Sequence, residues 1–502
     1  MALEVKRQTI ETQRTIGDPY VQIPVRAEAI VPGAGRERVN VLMDEARLSI
    51  GHVDVQTDRV VADGTVSMQA LYRLGEEGEI SALEASAPLS RAVDLPGAAE
   101  GMSCLYTGTV EHVETGYENG HIVFHAVVGL RLKVLDLQKE EIATALEGEE
   151  GVEQKTQELT SLKLSAESSA QALLEGDARM PPVLDARTAL MDWGSVRLDD
   201  VSADLGGIRV SGSVQAEALI GSGVPGRPVA LVKYSLPFKQ LVDLPEWLCK
   251  NVEARAQLSS LNAQLRQAED GGTNLHFDAQ VDIAVQAMGE DQVSVLADAY
   301  GVGPVDIACE YDPLTFCSAS APVSHRDTVR ANLLLPEGAP SAGTIVAVRA
   351  RPQIGSVERT GAGAEISGVL ETRALYLASG SGALCSVKDD LPFTIACPFP
   401  IGVADDIELE VESADASALM SDRMEVSCAL RLSGTHREEE TVRKVASAQA
   451  VPAQKKPFSV VLYWPSQEES LWEIGRRYRV PEERLAAFNA NRTAAEPLVV
   501  RG

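Results

Sequence analysis

A short motif occurs three times along the chain and constrains the fold more than any other feature. Gly64, Gly212 and Gly368 are each followed six and seven residues later by the dipeptide Ala-Leu. A proline follows each glycine after 24 or 25 residues, and a second proline comes eight residues later. These proline pairs are Pro88 and Pro96, Pro237 and Pro245, and Pro392 and Pro400. Offsets this regular indicate one type of domain used three times.

The segments around these glycines alternate apolar and polar residues, as half-buried strands do. In each repeat we predict a strand that holds the glycine, a turn rich in Gly or Ser, a returning strand that ends near the prolines, and two further strands. Gly and Ser suit turns that need a positive φ, and proline suits a strand exit or a sheet edge. The pattern therefore predicts a mainly β fold with three tandem antiparallel β-sandwich-like domains.

Composition shifts suggest where these domains begin and end. The predicted β domains cover residues 1–137, 138–298 and 299–436. Within the second domain, residues 138–176 are acidic and rich in Glu, Leu and Ala, and we interpret them as a connector that is helical in part or mobile. Residues 437–456 combine charge with Ala, Gln and Pro and are interpreted as a flexible linker. The linker is predicted to lead to a small domain over residues 457–502.

Charge and composition exclude several classes of function. The chain has 45 basic and 73 acidic residues and a formal net charge of −28, which disfavours binding to nucleic acid or to anionic membranes. No apolar run of about 18 residues is present, so we expect no transmembrane segment. The charged N-terminus, Met1 to Arg14, does not resemble a secretory signal. Seven cysteines without a Cys-x-x-Cys pair suit a reducing compartment.

The common catalytic motifs are absent from the sequence. It contains no P-loop, no His-Glu-x-x-His pair and no Gly-x-Ser-x-Gly elbow. His121 and His125 fall on one face of a predicted strand but about 13 Å apart, too far to share a metal ion. We therefore expect no enzymatic activity, no cofactor and no metal.

The last 45 or so residues follow a β-α-α-β pattern. Phe458–Leu462 is predicted to be a strand, and Ser470 is a plausible N-cap for the first helix. Pro481 suits the first position of a second helix, whose first turn carries two glutamates. The residues from Pro497 to Val500 supply a closing strand.

This segment resembles the LysM domain, through the pattern Ser470-Leu-Trp-x-Ile-x3-Tyr-x-Val-x4-Leu-x3-Asn489. In that family, the loop before the first helix and the loop after the second bind glycans that contain N-acetylglucosamine. The family's usual Gly-Asp before the first helix is Glu468-Glu469 here. An acidic pair would repel anionic wall polymers, and loss of a glycine restricts the loop.

These two departures disfavour glycan binding by the LysM-like domain. The candidate partner-binding residues are Glu468, Glu469, Ser470, Trp472, Arg476, Arg477 and Asn489. Two alternatives stay open at this point. Trp472 suits the domain core as well as a binding surface, and Arg476 and Arg477 suit a solvated helix face as well as a patch that pairs with carboxylates.

Three β repeats followed by one LysM-like domain resemble the SipL-type spore-coat morphogenetic proteins of clostridia, and the repeats resemble their sporulation-coat (SPOCS) domain. The resemblance implies a non-enzymatic scaffold in the mother-cell cytoplasm that coats the forespore. It also implies that the LysM-like domain docks on the sporulation ATPase that polymerises on the forespore surface, while the repeats recruit other coat proteins. Two alternatives remain, namely a peptidoglycan-binding protein of the spore cortex or cell wall, and a β-repeat protein that self-assembles into filaments.

Overall fold

The computed structural model describes residues 3–33, 38–75, 78–245, 251–361, 363–399, 401, 406–453, 459–466, 469–490 and 497–501. The prediction of a mainly β fold is confirmed. Across these residues, β-strands account for nearly all regular structure, and the two α-helices are short. The described strands form three successive units of similar strand order, followed by a small terminal module.

The strands of unit 1 are β1 (Glu4–Gly17), β2 (Tyr20–Ile30), β3 (Val39–Gln56), β4 (Arg59–Leu74), β5 (Ile80–Asp94), β6 (Ser103–Glu118) and β7 (His121–Glu147). Those of unit 2 are β8 (Val152–Arg179), β9 (Ala186–Asp204), β10 (Gly207–Ser222), β11 (Val229–Asp243), β12 (Asn251–Gln267) and β13 (Thr273–Gly301). Those of unit 3 are β14 (Val305–Leu334), β15 (Ala342–Thr360), β16 (Gly363–Ala378), β17 (Leu384–Cys397), β18 (Asp406–Met420) and β19 (Arg423–Pro452).

Each unit contains an antiparallel β-sandwich. One layer is a three-stranded sheet, β3-β4-β5, β9-β10-β11 or β15-β16-β17. In the other layer, the last long strand of the unit (β7, β13 or β19) lies in the middle. It pairs on one side with an early strand (β2, β8 or β14) and on the other side with β6, β12 or β18. Apolar side chains from both layers form one core per unit. Pro88, Pro237 and Pro392 lie in β5, β11 and β17, which are sheet edges, as predicted from their missing amide hydrogen.

The repeated glycine allows close contact between two strands. A Cβ on Gly64 would lie 2.5 Å from the carbonyl oxygen of Ser49, and one on Gly368 would lie 2.0 Å from that of Gln353. Gly212 stands in the same relation to its neighbouring strand, at 2.3 Å. In each unit a break in the strand register falls at or beside the glycine. The motif is therefore glycine because a side chain would displace the bulged strand.

The three sandwiches share an apolar cluster, here called the hub. It is formed by Leu42, Met43, Leu71, Leu190, Met191, Trp193, Leu219, Val229, Ala347, Leu375, Leu377 and Leu384. Leu71, Leu219 and Leu375 are the leucines of the three Ala-Leu dipeptides, and all three are fully buried. The repeated dipeptide thus places one leucine from every unit in the same core.

The long strands extend beyond the sandwiches as three paired ribbons, here called the stalk. The stalk comprises residues 4–17 with 134–147, 152–164 with 288–301, and 305–322 with 435–452. Apolar side chains form clusters in its interior, and one cluster takes Ile10, Val295 and Phe316 from the three different ribbons. The turns that join β7 to β8 and β13 to β14 lie at its far end, here called the tip.

Two segments that we predicted from the sequence to be irregular form strands instead. The flexible linker predicted over 437–456 is wrong for residues 437–452, which form the second half of β19 and pair with β14. The connector predicted over 138–176 is likewise strand, at the end of β7 and in β8. Charged and small residues hid the strand pattern, because they cover the solvated faces of the ribbons while residues such as Val445 and Leu159 face inward.

Candidate functional site: the terminal module at the stalk tip

The terminal module consists of β20 (Val460–Tyr463), α1 (Leu471–Tyr478), α2 (Glu482–Phe488) and β21 (Leu498–Arg501). This is the β-α-α-β order predicted from the sequence. Helix α1 begins with a capping box, in which Ser470 Oγ accepts from the Glu473 amide at 3.3 Å and Glu473 Oε2 accepts from the Ser470 amide at 2.9 Å. The hydroxyl of Ser470 therefore stabilises the helix start.

Trp472 and Arg476, two of the predicted partner-binding residues, face the stalk. Trp472 is 6% exposed, and its indole nitrogen donates to Asp298 Oδ2 at 2.8 Å. Arg476 Nη1 donates to both carboxylate oxygens of Asp298 at 2.7 Å. Asp298 lies near the end of β13, so the two predicted binding side chains are already engaged by the chain itself.

Asp298 is satisfied by groups from three elements. In addition to Trp472 and Arg476, it accepts a hydrogen bond of 2.5 Å from the hydroxyl of Tyr311 and one from the amide of Ala299. Burial alone would raise the pKa of Asp298, but the hydrogen bonds and the charge of Arg476 outweigh it and hold the pKa below its ordinary value. The carboxylate is therefore charged when the module is docked.

Further contacts extend this joint between the module and the tip. Tyr300 packs edge to face on Trp472, with ring centroids 4.8 Å apart, and its hydroxyl donates to the Val480 carbonyl at 2.9 Å. A Cβ on Gly475 would lie 2.5 Å from that hydroxyl, so α1 approaches Tyr300 closely only because glycine is present. Arg479 Nη2 donates to the Gly303 carbonyl at 2.6 Å.

Glu469, Arg477 and Asn489 have their described contacts within the module. Glu469 accepts from the hydroxyl of Tyr463 at 2.6 Å and pairs with Arg477 at 2.6 Å, next to the start of α1. The side chain of Asn489 bonds both the amide and the carbonyl of Val499, which fixes β21 against the end of α2. Glu468 lies outside the described residues.

The module also carries an exposed apolar face that the sequence analysis missed. Val460 and Leu462 alternate along β20, and Trp464 follows the last residue of this strand. The exposed fractions of the three side chains are 56%, 55% and 65%. Val499 is paired opposite Leu462 and therefore lies on the same side of the sheet. We call these four residues the free face. The alternation was visible in the sequence, but a strand of a small domain is expected to turn its apolar side chains inward.

A second feature is a cavity of about 930 Å³ lined by residues of β3, β9 and β15 and of β6, β12 and β18. Gln257 of unit 2 lines this cavity and donates a hydrogen bond to the carbonyl of Leu48 in unit 1 at 3.3 Å. Gln257 lies two residues before the β-bulge of β12, and Glu410 lies two residues before the β-bulge of β18. Glu410 is therefore the counterpart of Gln257 in unit 3. Glu410 is exposed to solvent in the cavity. Partial desolvation by the surrounding walls and then the charges of Glu408 and Glu412 raise its pKa to about 7, against the opposing effect of Arg431.

The joint between units 1 and 3 is formed by charged side chains. Glu45 pairs with Arg349 at 2.8 Å and with Arg351 at 3.1 Å. Burial opposes ionisation of Glu45, but the two arginines outweigh it and lower its pKa to about 2. Glu371 accepts from His112 at 3.1 Å and also pairs with Lys388. These buried carboxylates fix how the two units meet.

Comparison with known families identifies part of the chain. Residues 39–118 match the family model described as SipL, SPOCS domain. The chain carries a SipL-type SPOCS domain. The match supports the resemblance to SipL-type proteins and a sporulation-related role. No curated protein and no solved structure matches the chain.

The matched SPOCS domain begins at the first residue of β3 and ends at the last residue of β6. It therefore contains the three-stranded sheet of unit 1, the repeated glycine Gly64, the hub residue Leu71 and the edge proline Pro88. Units 2 and 3 lie outside the match but have the same strand order and the same glycine contact. Among the described residues, no helix is long and apolar enough to cross a membrane.

Proposed function

We propose that this chain is a non-enzymatic scaffold in spore-coat assembly. The terminal module binds the sporulation ATPase that polymerises on the forespore surface, in the mother-cell cytoplasm, and the three units recruit or space other coat proteins. The SPOCS match and the resemblance to SipL-type proteins support the setting. The observation that carries the binding role is the free face, which the joint at Asp298 holds outward at the tip of the stalk.

The two sides of the module suggest which surface meets the partner. Trp472 and Arg476 have their polar groups satisfied by Asp298, so a partner would have to displace that carboxylate to use them. A partner that binds the free face does not have to displace Asp298. Trp464 is also the type of residue that contributes most to protein interfaces. Residues 457–502 carry as many basic as acidic side chains, in a chain of net charge −28, so the module is the part least repelled by an acidic partner.

Docking also changes how the module is presented. A module on a loose linker would search a large volume, whereas a module fixed to the tip has one orientation. A polymerised partner offers many identical sites, so several chains bound side by side would present their three-unit bases as an ordered layer. Modest affinity at each site is sufficient if coat proteins then link neighbouring chains.

The proposal is tested with the full-length chain and the polymerised forespore ATPase in a sedimentation assay. The double variant Leu462→Ala, Trp464→Ala removes exposed side chains, and we expect binding at least about 10-fold weaker, because interface hot spots are worth about 2 kcal/mol or more. Leu173→Ala, at a leucine 77% exposed on β8, is the matched control and should bind normally.

A second variant shows which side of the module is used. Asp298→Asn weakens docking and should leave the affinity unchanged or lower if the free face binds. Tighter binding by Asp298→Asn, with no effect of the double variant, would place the partner on Trp472 and Arg476 and contradict the free face. Saturable binding to peptidoglycan without binding to the ATPase would favour the glycan alternative.

The filament alternative receives less support from the strand edges. Pro88, Pro237 and Pro392 lie within β5, β11 and β17, the outer strands of the three-stranded sheets. Proline lacks the amide hydrogen that edge-to-edge pairing needs, and natural proteins use it to block such pairing.

A further inference from the structure

Four polar side chains lie together on the outer face of the unit 2 sandwich. Glu175 and Asp177 lie on β8, and His276 and Asp278 lie on β13. The register pairs Glu175 with Asp278 and Asp177 with His276. Paired residues and residues two apart share one face of a sheet, so all four project together. Their neighbour Phe277 points the other way, into the core of the unit.

His276 is held in a fixed orientation. Its side chain is 5% exposed, Nδ1 lies 3.0 Å from Asp177 Oδ1, and Nε2 lies 3.1 Å from Asp278 Oδ1. When Nδ1 donates its hydrogen to Asp177, the lone pair of Nε2 points toward Asp278. A lone pair facing a carboxylate is unfavourable unless a proton or a metal ion lies between them.

Protein metal sites use this arrangement. A histidine that binds a metal through one nitrogen usually donates the other N–H to a carboxylate, which fixes the tautomer. One potential ligand atom each from Glu175, His276 and Asp278 lies within 4.8 Å of the other two. Ligands about 2.0–2.2 Å from a zinc ion lie closer than this to one another, so binding requires only a small inward movement.

We propose that Glu175, His276 and Asp278 bind a divalent transition-metal ion, with zinc the best fit, and that Asp177 positions His276 for it. An imidazole with two carboxylates favours zinc, or a neighbouring first-row ion, over magnesium and calcium, which prefer oxygen ligands alone. The two charges of the ion would also offset two of the three carboxylate charges on this face. Arg266 already lies beside them, with its Nη2 3.5 Å from Asp278 Oδ2.

A bound ion would link two strands of unit 2. Its ligands come from the first and last strands of unit 2, about one hundred residues apart in sequence. An ion bound to both strands stabilises the folded unit, because the unfolded chain does not bring the ligands together. Sequence spacing could not reveal this site, since its three ligands and Asp177 form two short i, i+2 pairs on different strands.

The test uses the full-length chain and Co²⁺, whose visible spectrum reports the ligand type. We expect one Co²⁺ per chain with a spectrum of nitrogen and oxygen ligands, displacement by Zn²⁺, and no thiolate charge-transfer band from the cysteines. Zinc should also raise the melting temperature in proportion to the logarithm of its concentration.

Variants assign the ion to this site. Glu175→Gln changes an exposed side chain, so the protein should fold normally but bind about 10–100-fold more weakly, and Asp177→Asn should have a similar effect through His276. His276→Asn should abolish the signal. Glu158→Gln, an exposed glutamate on the same strand, is the matched control and should bind like the wild type. No Co²⁺ uptake by the folded wild type would overturn the proposal, and so would uptake by Glu175→Gln and His276→Asn equal to that of the wild type. His276 would then serve only as a hydrogen-bonded link between Asp177 and Asp278.

Discussion

The two ends of the stalk are held by different physics. At the base, the three units share the hub, an apolar core in which equivalent leucines from each repeat meet. At the tip, the terminal module is held mainly by one carboxylate, Asp298, which accepts hydrogen bonds from Trp472 and Arg476 of the module and from Tyr311 of the stalk itself. Apolar packing depends on volume and responds little to pH, whereas a charged network depends on ionisation and geometry. We therefore expect the contact between the units at the base to change little with pH, whereas docking of the module at the tip should depend on pH.

The largest expected effect comes from the hub. Leu219→Ala removes a fully buried side chain in unit 2 and should lower the free energy of unfolding by about 2–5 kcal/mol. Because the hub joins all three units, denaturant unfolding followed by circular dichroism should shift as a whole. Leu205→Ala, at a leucine 85% exposed, is the control and should change stability by less than about 0.5 kcal/mol. Loss of structure in unit 2 alone would contradict a shared base.

The next effect concerns the tip. Asp298→Asn removes the charge that Arg476 and Trp472 bind, and hydrogen bonds to charged groups are worth about 1.5–3 kcal/mol. With 5-fluorotryptophan in the chain, the signal of Trp472 should move while that of Trp193, buried in the hub, stays in place. Asp415→Asn, at an exposed aspartate, should move neither signal.

Acid should reproduce the effect of Asp298→Asn. The pKa of Asp298 is lower in the docked state than its ordinary value, so its contribution is complete above that value, about 3.9, and is lost as the pH falls through the docked pKa. In the same fluorine spectra, Trp472 should shift below about pH 4 in the wild type, and the Asp298→Asn protein should lack this transition. An identical acid transition in both proteins would show that protonation of Asp298 does not cause it.

A third comparison tests the repeated glycine. Gly368→Ala places a Cβ 2.0 Å from a backbone oxygen, so the bulged strand must move, at a cost of about 1–3 kcal/mol. Gly116→Ala, in β6 with open space around it, should leave the melting temperature unchanged. Equal stability of the two variants would mean that the close approach is not required.

The smallest effect is expected at the cavity between the units. The pKa of Glu410 rises from 4.5 to about 7, so the folded protein holds this proton more tightly and stability should fall as the pH rises from about 4.5 to 7. Solvent in the cavity reaches Glu410, which keeps the effect below about 1 kcal/mol. Glu410→Gln should remove this part of the pH dependence of the melting temperature, and Glu358→Gln, exposed on β15, should retain it.

The sequence predicted the base better than the stalk and the tip, for a physical reason. The glycine and proline offsets report contacts inside one unit, and together with the Ala-Leu dipeptides they identified β4, β10 and β16 and the sheet edges. They did not reveal that the three leucines meet in one hub. The stalk is built by ribbons from different units, and the solvated faces of segments such as 437–452 look like a linker until a partner ribbon is known. The contact of Trp472 with Asp298 joins residues 174 apart, and no local pattern reports it. A Trp in a small domain could equally have been core or surface.

Amide hydrogen exchange of the full-length chain tests most directly whether the module is docked at the tip. The account predicts slow exchange in α1 of the wild type and faster exchange there in Asp298→Asn, with the hub strands β4, β10 and β16 unchanged between the two proteins. Equally fast exchange in α1 of both proteins, or equally slow exchange in both, would show that Asp298 does not hold the module and would contradict a tip built on that carboxylate.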